Sequence, residues 1–152
     1  MKVYNLTIYL VLLIFISGCN GESKSLKHKS EYNFSIVYDY THLTEREDKY
    51  RNRCSYDNLY FFIETNFEND TIQIEVGKNK IIREVVNTND GLGLAKVITV
   101  EGISEIEEVY FSINDSPRIS FELIDKKMNL IGVRKKEKEI ELLFYKRVPM
   151  YE

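Results

Sequence analysis

The sequence predicts an all-β domain, an antiparallel β-sandwich of about eight to nine short strands, and three observations carry that reading. From Tyr32 onward apolar and aromatic residues alternate with polar ones, as in Tyr32-Asn33-Phe34-Ser35-Ile36-Val37-Tyr38, a period of two that marks half-buried strands. Clusters of Asn, Asp, Gly and Pro interrupt the alternation at 65–70, 77–79, 87–93 and 114–117, where they read as turns. Tyr and Phe number 11 and 8 while Trp is absent, and such rings suit a pleated, half-buried surface. Parallel neighbours ordinarily need helical crossovers, which the pattern lacks, so antiparallel pairing is expected throughout. A closed barrel is the secondary alternative.

The elements follow in order. Tyr32, Phe34, Ile36, Tyr38 and Tyr40 lead the first strand. Residues 41–58 break the rhythm, and one short helix or ordered loop is expected near 43–53. Thr44 with Glu47 has the spacing of a capping box, and Glu45/Lys49 and Glu47/Arg51 are spaced for pairs across one helical turn. Strands are then expected over Leu59–Glu64, Thr71–Val76, Lys80–Val86 and Leu94–Val100. Further strands are expected around Val109, Phe111 and Ile113, around Ile119, Phe121 and Leu123, over Met128–Val133, and around Ile140, Leu142 and Phe144. Residues 147–152 contain Pro149, which cannot donate to a central ladder, so they read as an edge or tail. No composition shift divides 32–152, which reads as one β-sandwich domain.

The N-terminus has a different logic. Lys2 supplies a positive start, Leu6–Ile16 an apolar centre, and Ser17-Gly18 two small residues before Cys19, the layout of a secretory signal peptide. The apolar run is eleven residues, against the roughly 20 that a membrane-spanning helix needs. Ile16-Ser17-Gly18-Cys19 matches the lipobox position by position, and over residues 1–19 the chain resembles bacterial lipoproteins. The resemblance implies removal of residues 1–18, a diacylglyceryl thioether on Cys19 and a lasting membrane tether. Asn20 stands where an Asp signals inner-membrane retention in many Gram-negative lipoproteins, so the same analogy points to the outer membrane, on either of its faces. Residues 19–31 are polar and aperiodic and read as a flexible tether; twelve such residues span about 17–21 Å as a coil.

Charge and inventory narrow the function. With 21 basic and 24 acidic residues the chain is too balanced for nucleic-acid binding or electrostatic docking to a membrane. If Cys19 is acylated, Cys54 has no intramolecular partner and reads as a small apolar residue. Gly91-Leu92-Gly93 precedes a strand-like stretch, so it reads as a hairpin turn and not as a phosphate loop. His28 falls in the tether and His42 beside surface carboxylates, so neither a histidine triad nor a zinc set is present. Lys126, Lys127, Arg134, Lys135, Lys136 and Lys138 read as turn and edge charges that keep the sheets soluble.

Successive turns of an antiparallel sandwich alternate between its ends, which would place 65–70, 87–93, 114–117 and 134–138 together. That end is rich in oxygen donors. Asn and Asp suit turns for purely local reasons, and no cofactor is expected; as a recognition surface this end would make its contacts through Asp70, Asp90 and Asp115, with Ca²⁺ the one cation it could take. These readings converge on a lipid-anchored binding or interaction module of the cell envelope whose partner is another envelope protein or a glycan. An immunity or inhibitor lipoprotein that blocks a toxin or hydrolase is the alternative. A hydrolase built on carboxylates alone is the third reading, since no catalytic set is evident.

Overall fold

The computed structural model describes residues 32–77, 80–103, 108–123 and 125–151. The signal peptide, Cys19 and the tether through residue 31 lie outside these. The described residues form nine strands and one helix: β1 (Asn33–Tyr38), α1 (Glu45–Arg51), β2 (Leu59–Ile63), β3 (Asp70–Val76), β4 (Lys80–Val86), β5 (Lys96–Val100), β6 (Val109–Ile113), β7 (Ile119–Phe121), β8 (Leu130–Lys136) and β9 (Glu139–Tyr145). A single 3-10 turn, Lys126–Met128, leads into β8. The strands make two sheets, β1-β9-β8-β2-β5 and β4-β3-β6-β7. Both sheets keep free edges, so the all-β sandwich is realised and the barrel is not.

The core lies between the sheets and follows from the period of two. In β3, Ile72, Ile74 and Val76 are buried while Thr71, Gln73 and Glu75 face outward. Phe61, Ile63, Ile131, Val133 and Leu142 meet them from the five-stranded sheet. Phe111 joins the layers: its ring centroid lies 6.3 Å from Phe61 and 6.4 Å from Phe34. Burying each such side chain contributes about 1.5–3 kcal/mol, an upper figure because unfolded chains already hide some surface.

Two features depart from the sequence reading. The expectation of antiparallel pairing throughout is corrected, because β1 runs parallel to β9 and β2 parallel to β8. No helix is needed for this: strands β3, β4, β6 and β7, which lie between β2 and β8 in the chain, belong to the opposite sheet and carry the chain across the sandwich. The second departure concerns the basic residues. Strand β8 continues through Lys136, and the tight turn that follows is carried by Glu137 at φ 44°. Arg134 and Lys135 are therefore strand residues, and each holds a buried carboxylate, Glu64 and Asp70 respectively. They are not solubilising turn charges.

Helix α1 forms as its caps specify. Glu47 N–H donates to Thr44 Oγ1 at 3.3 Å, and Thr44 N–H donates back to Glu47 Oε2 at 2.9 Å. The expected Glu47/Arg51 pair gives way to a different bond set. Arg51 is buried, its guanidinium donating to the carbonyls of Lys127 (3.2 Å) and Cys54 (3.3 Å) and to Asn129 Oδ1. Asn129 in turn donates to Ser55 O at 2.9 Å and to Asn58 O. A helix with few apolar residues is thus docked by hydrogen bonds, which satisfy the buried guanidinium without a carboxylate.

Candidate functional site

The outer face of the five-stranded sheet carries a second apolar cluster. Phe62, Leu130 and Tyr145 point away from the main core, yet they are buried beneath the segment 146–151 and the loop around Cys54. Val148 and Tyr151 pack on them, with the Tyr151 ring centroid 6.2 Å from that of Phe62. Pro149 thus sits in a strap laid across the sheet and not in a ladder, consistent with its missing donor.

A carboxylate lies at the edge of this cluster. Glu64 directly follows β2 on the same face as Phe62, and only 2% of it is exposed. Three donors converge on it. Arg134 donates through Nε to Glu64 Oε2, and the hydroxyls of Tyr145 (3.0 Å) and Tyr151 (2.9 Å) donate to Oε1. Arg134 Nη2 also donates to the Tyr145 hydroxyl at 3.1 Å. The parallel β2–β8 register creates the pairing, since Ile63 aligns with Val133 and the residue after each meets its counterpart.

Gly132 makes the space: a Cβ there would lie 2.6 Å from Tyr145 Cε2 and 2.7 Å from Glu64 Oε1. Any larger residue would displace the phenol or the carboxylate.

The electrostatics follow from burial. Desolvation first, and the Glu64 charge second, push the Tyr145 and Tyr151 phenols well above their ordinary ionisation range, so both act as neutral donors. Burial alone would weaken the charge of Arg134, but the hydrogen bond and charge of Glu64 outweigh it and hold the guanidinium more firmly protonated. Three of the roughly four lone-pair sites of the Glu64 carboxylate are taken by these donors, an arrangement that fixes the strap.

Outside this hub a cleft of about 560 Å³ opens, lined among others by Glu47, Arg134, Arg147, Met150 and Tyr151. A smaller one of about 370 Å³ lies between Tyr50 and Glu47 of α1 and Val148, Met150 and Tyr151. Arg147 joins the walls, with Nε 3.7 Å from Asp39 Oδ2 and Nη1 3.5 Å from Glu47 Oε1. The strap carries no backbone–backbone hydrogen bond among the described residues and is held by side chains alone.

The end expected to carry recognition is also well defined. The turns do converge: Asn66 Nδ2 donates to Lys135 O at 2.8 Å, Asn69 N–H to Asn87 Oδ1 at 2.6 Å, and Thr71 N–H to Asn114 Oδ1 at 2.9 Å. Asp70 serves this convergence from a buried position. Its carboxylate accepts from Lys135 Nζ (2.8 Å), Asn114 Nδ2 (2.9 Å) and Glu68 N–H (2.9 Å). Burial, the largest influence, would raise its pKa; the bonds from Lys135, Asn114 and Glu68 together outweigh it and hold the carboxyl below the usual range. Asp90 and Asp115 remain exposed. Among the described residues no three His, Cys, Asp or Glu side chains gather as a metal would require.

Cys54 is a half-buried free thiol packed on the second cluster. Glu64, Tyr145 and Tyr151 were not singled out by sequence, and Arg134 was read there only as a turn or edge charge. The signal for the first was an acid closing the otherwise apolar run Leu59–Ile63. Comparisons with protein-family models, curated proteins and solved structures find no match to this chain. No helix of the described residues is long and apolar enough to cross a membrane.

Proposed function

We propose that the protein is a lipid-anchored interaction module of the bacterial cell envelope, tethered through Cys19 and contacting its partner through the cleft between α1 and the strap 146–151. The lipobox residues Ile16-Ser17-Gly18-Cys19 support the anchor, and Asn20, in place of a retaining Asp, supports the outer membrane as its address. The cleft is the observation that carries the binding role. It joins guanidinium and carboxylate groups to an exposed apolar side chain, Met150, beside a rigid hydrogen-bonded hub. Such a mixture of a few oriented polar groups with apolar wall is what recognition sites use. The partner is an envelope protein or glycan that lies within reach of a tether of about 20 Å.

The test uses the full acylated chain and compares recovery of the same envelope partner by two sets of variants. Arg147→Ala with Met150→Asp is expected to lower recovery at least tenfold, while Asp90→Ala with Asp115→Ala leaves it unchanged. The opposite pattern would move the contact to the turn end.

A further inference from the structure

Strand β4 is a free sheet edge with unusual exposure. It pairs with β3 on one side only, and its other backbone edge has no partner among the described residues. Ile81 and Val85 are 65% and 57% exposed, and they flank Arg83 on one face of the strand. The register sets these three against Glu75, Gln73 and Thr71 of β3, so the outer face turns apolar only at its edge. The neighbouring charges are committed elsewhere: Lys80 Nζ donates to Gly102 O at 3.2 Å, and Glu84 pairs with Lys96 at 2.7 Å. Arg83 has no ion pair among the described residues.

The other edges differ. Strand β7 has three residues and β5 five, led by Lys96; β1 exposes Ile36 and Val37, but adjacent residues point to opposite faces and form no stripe. Natural edges are blunted by shortness, bulges, Pro or inward charge; β4 is seven residues long, and its two inward-side charges, Lys80 and Glu84, are already bonded to Gly102 O and to Lys96.

We infer that the free edge of β4 is a strand-addition site for an extended segment of a partner protein bearing apolar, acidic and apolar residues at alternate positions. Backbone groups of the segment complete the β4 ladder, its acid faces Arg83, and its apolar residues cover Ile81 and Val85. A second copy of this chain fits poorly, because the register that sets Ile81 against Val85 also sets Arg83 against Arg83. The inference concerns a surface separate from the cleft and holds whether or not Cys19 is acylated.

The probe is a blocked peptide, Thr-Val-Thr-Glu-Thr-Val-Thr, titrated to millimolar concentration into the isotope-labelled full chain. Its analogues carry Lys in place of Glu, or N-methyl groups on alternate amides. The Glu peptide should perturb the amides of 80–86 and bind about fivefold tighter than the Lys peptide. Arg83→Glu should reverse that order, and N-methylation should abolish binding. Arg83→Gln, which should erase the preference without reversing it, serves if Arg83→Glu fails to fold. Silence at 80–86, or equal binding of the Glu and Lys peptides, would overturn the inference. So would self-association that protects the same amides and is lost in Val85→Lys, which would assign the edge to a second copy.

Discussion

The Tyr151 hydroxyl donates at 2.9 Å to the buried Glu64 carboxylate, 87 residues away in the chain. Through this bond a segment with no backbone–backbone hydrogen bond among the described residues is fixed across the outer face of a sheet. Glu64→Ala would leave the hydroxyls of buried Tyr145 and half-buried Tyr151 without their acceptor, while the partly exposed Arg134 can turn to water. The expected loss is about 2–4 kcal/mol by urea denaturation. Glu64→Gln keeps an acceptor and should cost about half as much; equal costs would mean that the phenols contribute nothing.

Gly132 is required for room, not for backbone freedom. Gly132→Ala should therefore destabilise by about 1–3 kcal/mol through overpacking against Tyr145 and Glu64. Gly93→Ala is the contrast, because its Cβ meets nothing within 4 Å and only its φ of +63° opposes the change, costing about 1 kcal/mol. Thermal melts of the two variants separate the mechanisms, and the Tyr145 near-ultraviolet signal should change only in Gly132→Ala.

Asp70 links acid stability to the turn end. Its folded pKa is lowered, so its contribution is present above the unfolded value, near 3.8, and fades as pH falls through the folded value. Asp70→Asn should lose about 2–3 kcal/mol at neutral pH and show a shallower decline below pH 4 than the wild type. Parallel acid profiles would refute the linkage. Any test of Asp90 and Asp115 as contacts is best made with Asp70 intact.

Alkaline behaviour follows with the opposite sign. Tyr145 and Tyr151 have folded pKa values raised by burial and then by Glu64, so their stabilising effect is complete below the unfolded value of 10.0 and declines as pH rises above it. Ultraviolet titration should leave these two of the 11 tyrosines un-ionised until the domain unfolds. The double variant Tyr145→Phe with Tyr151→Phe should flatten the loss of stability above pH 10.

Much of the fold was legible because strand periodicity is local. Ile72, Ile74 and Val76 announce β3 and its buried face without reference to any other strand, and Thr44 with Glu47 announces the start of α1 through bonds three residues apart. Pairing partners are not local. Nothing in the alternation of Asn33–Tyr38 specifies a parallel neighbour more than a hundred residues on, at Glu139–Phe144. The hub was hidden for the same reason. Arg134 and Lys135 look like surface charges until the β2–β8 register and the convergence of the turns supply Glu64 and Asp70. Arg51, spaced for an exposed pair, turns inward because the carbonyls of Cys54 and Lys127 are there to receive it.

The fate of Cys19 decides whether the domain is lipid-anchored. Cells expressing the full chain are fed a fatty-acid analogue, and the protein is recovered from membrane and soluble envelope fractions. The wild type should carry the label and sediment with membranes, while Cys19→Ser should be unlabelled and released. Label persisting on the Ser variant, or an unlabelled and soluble wild type, would contradict a lipid-anchored module.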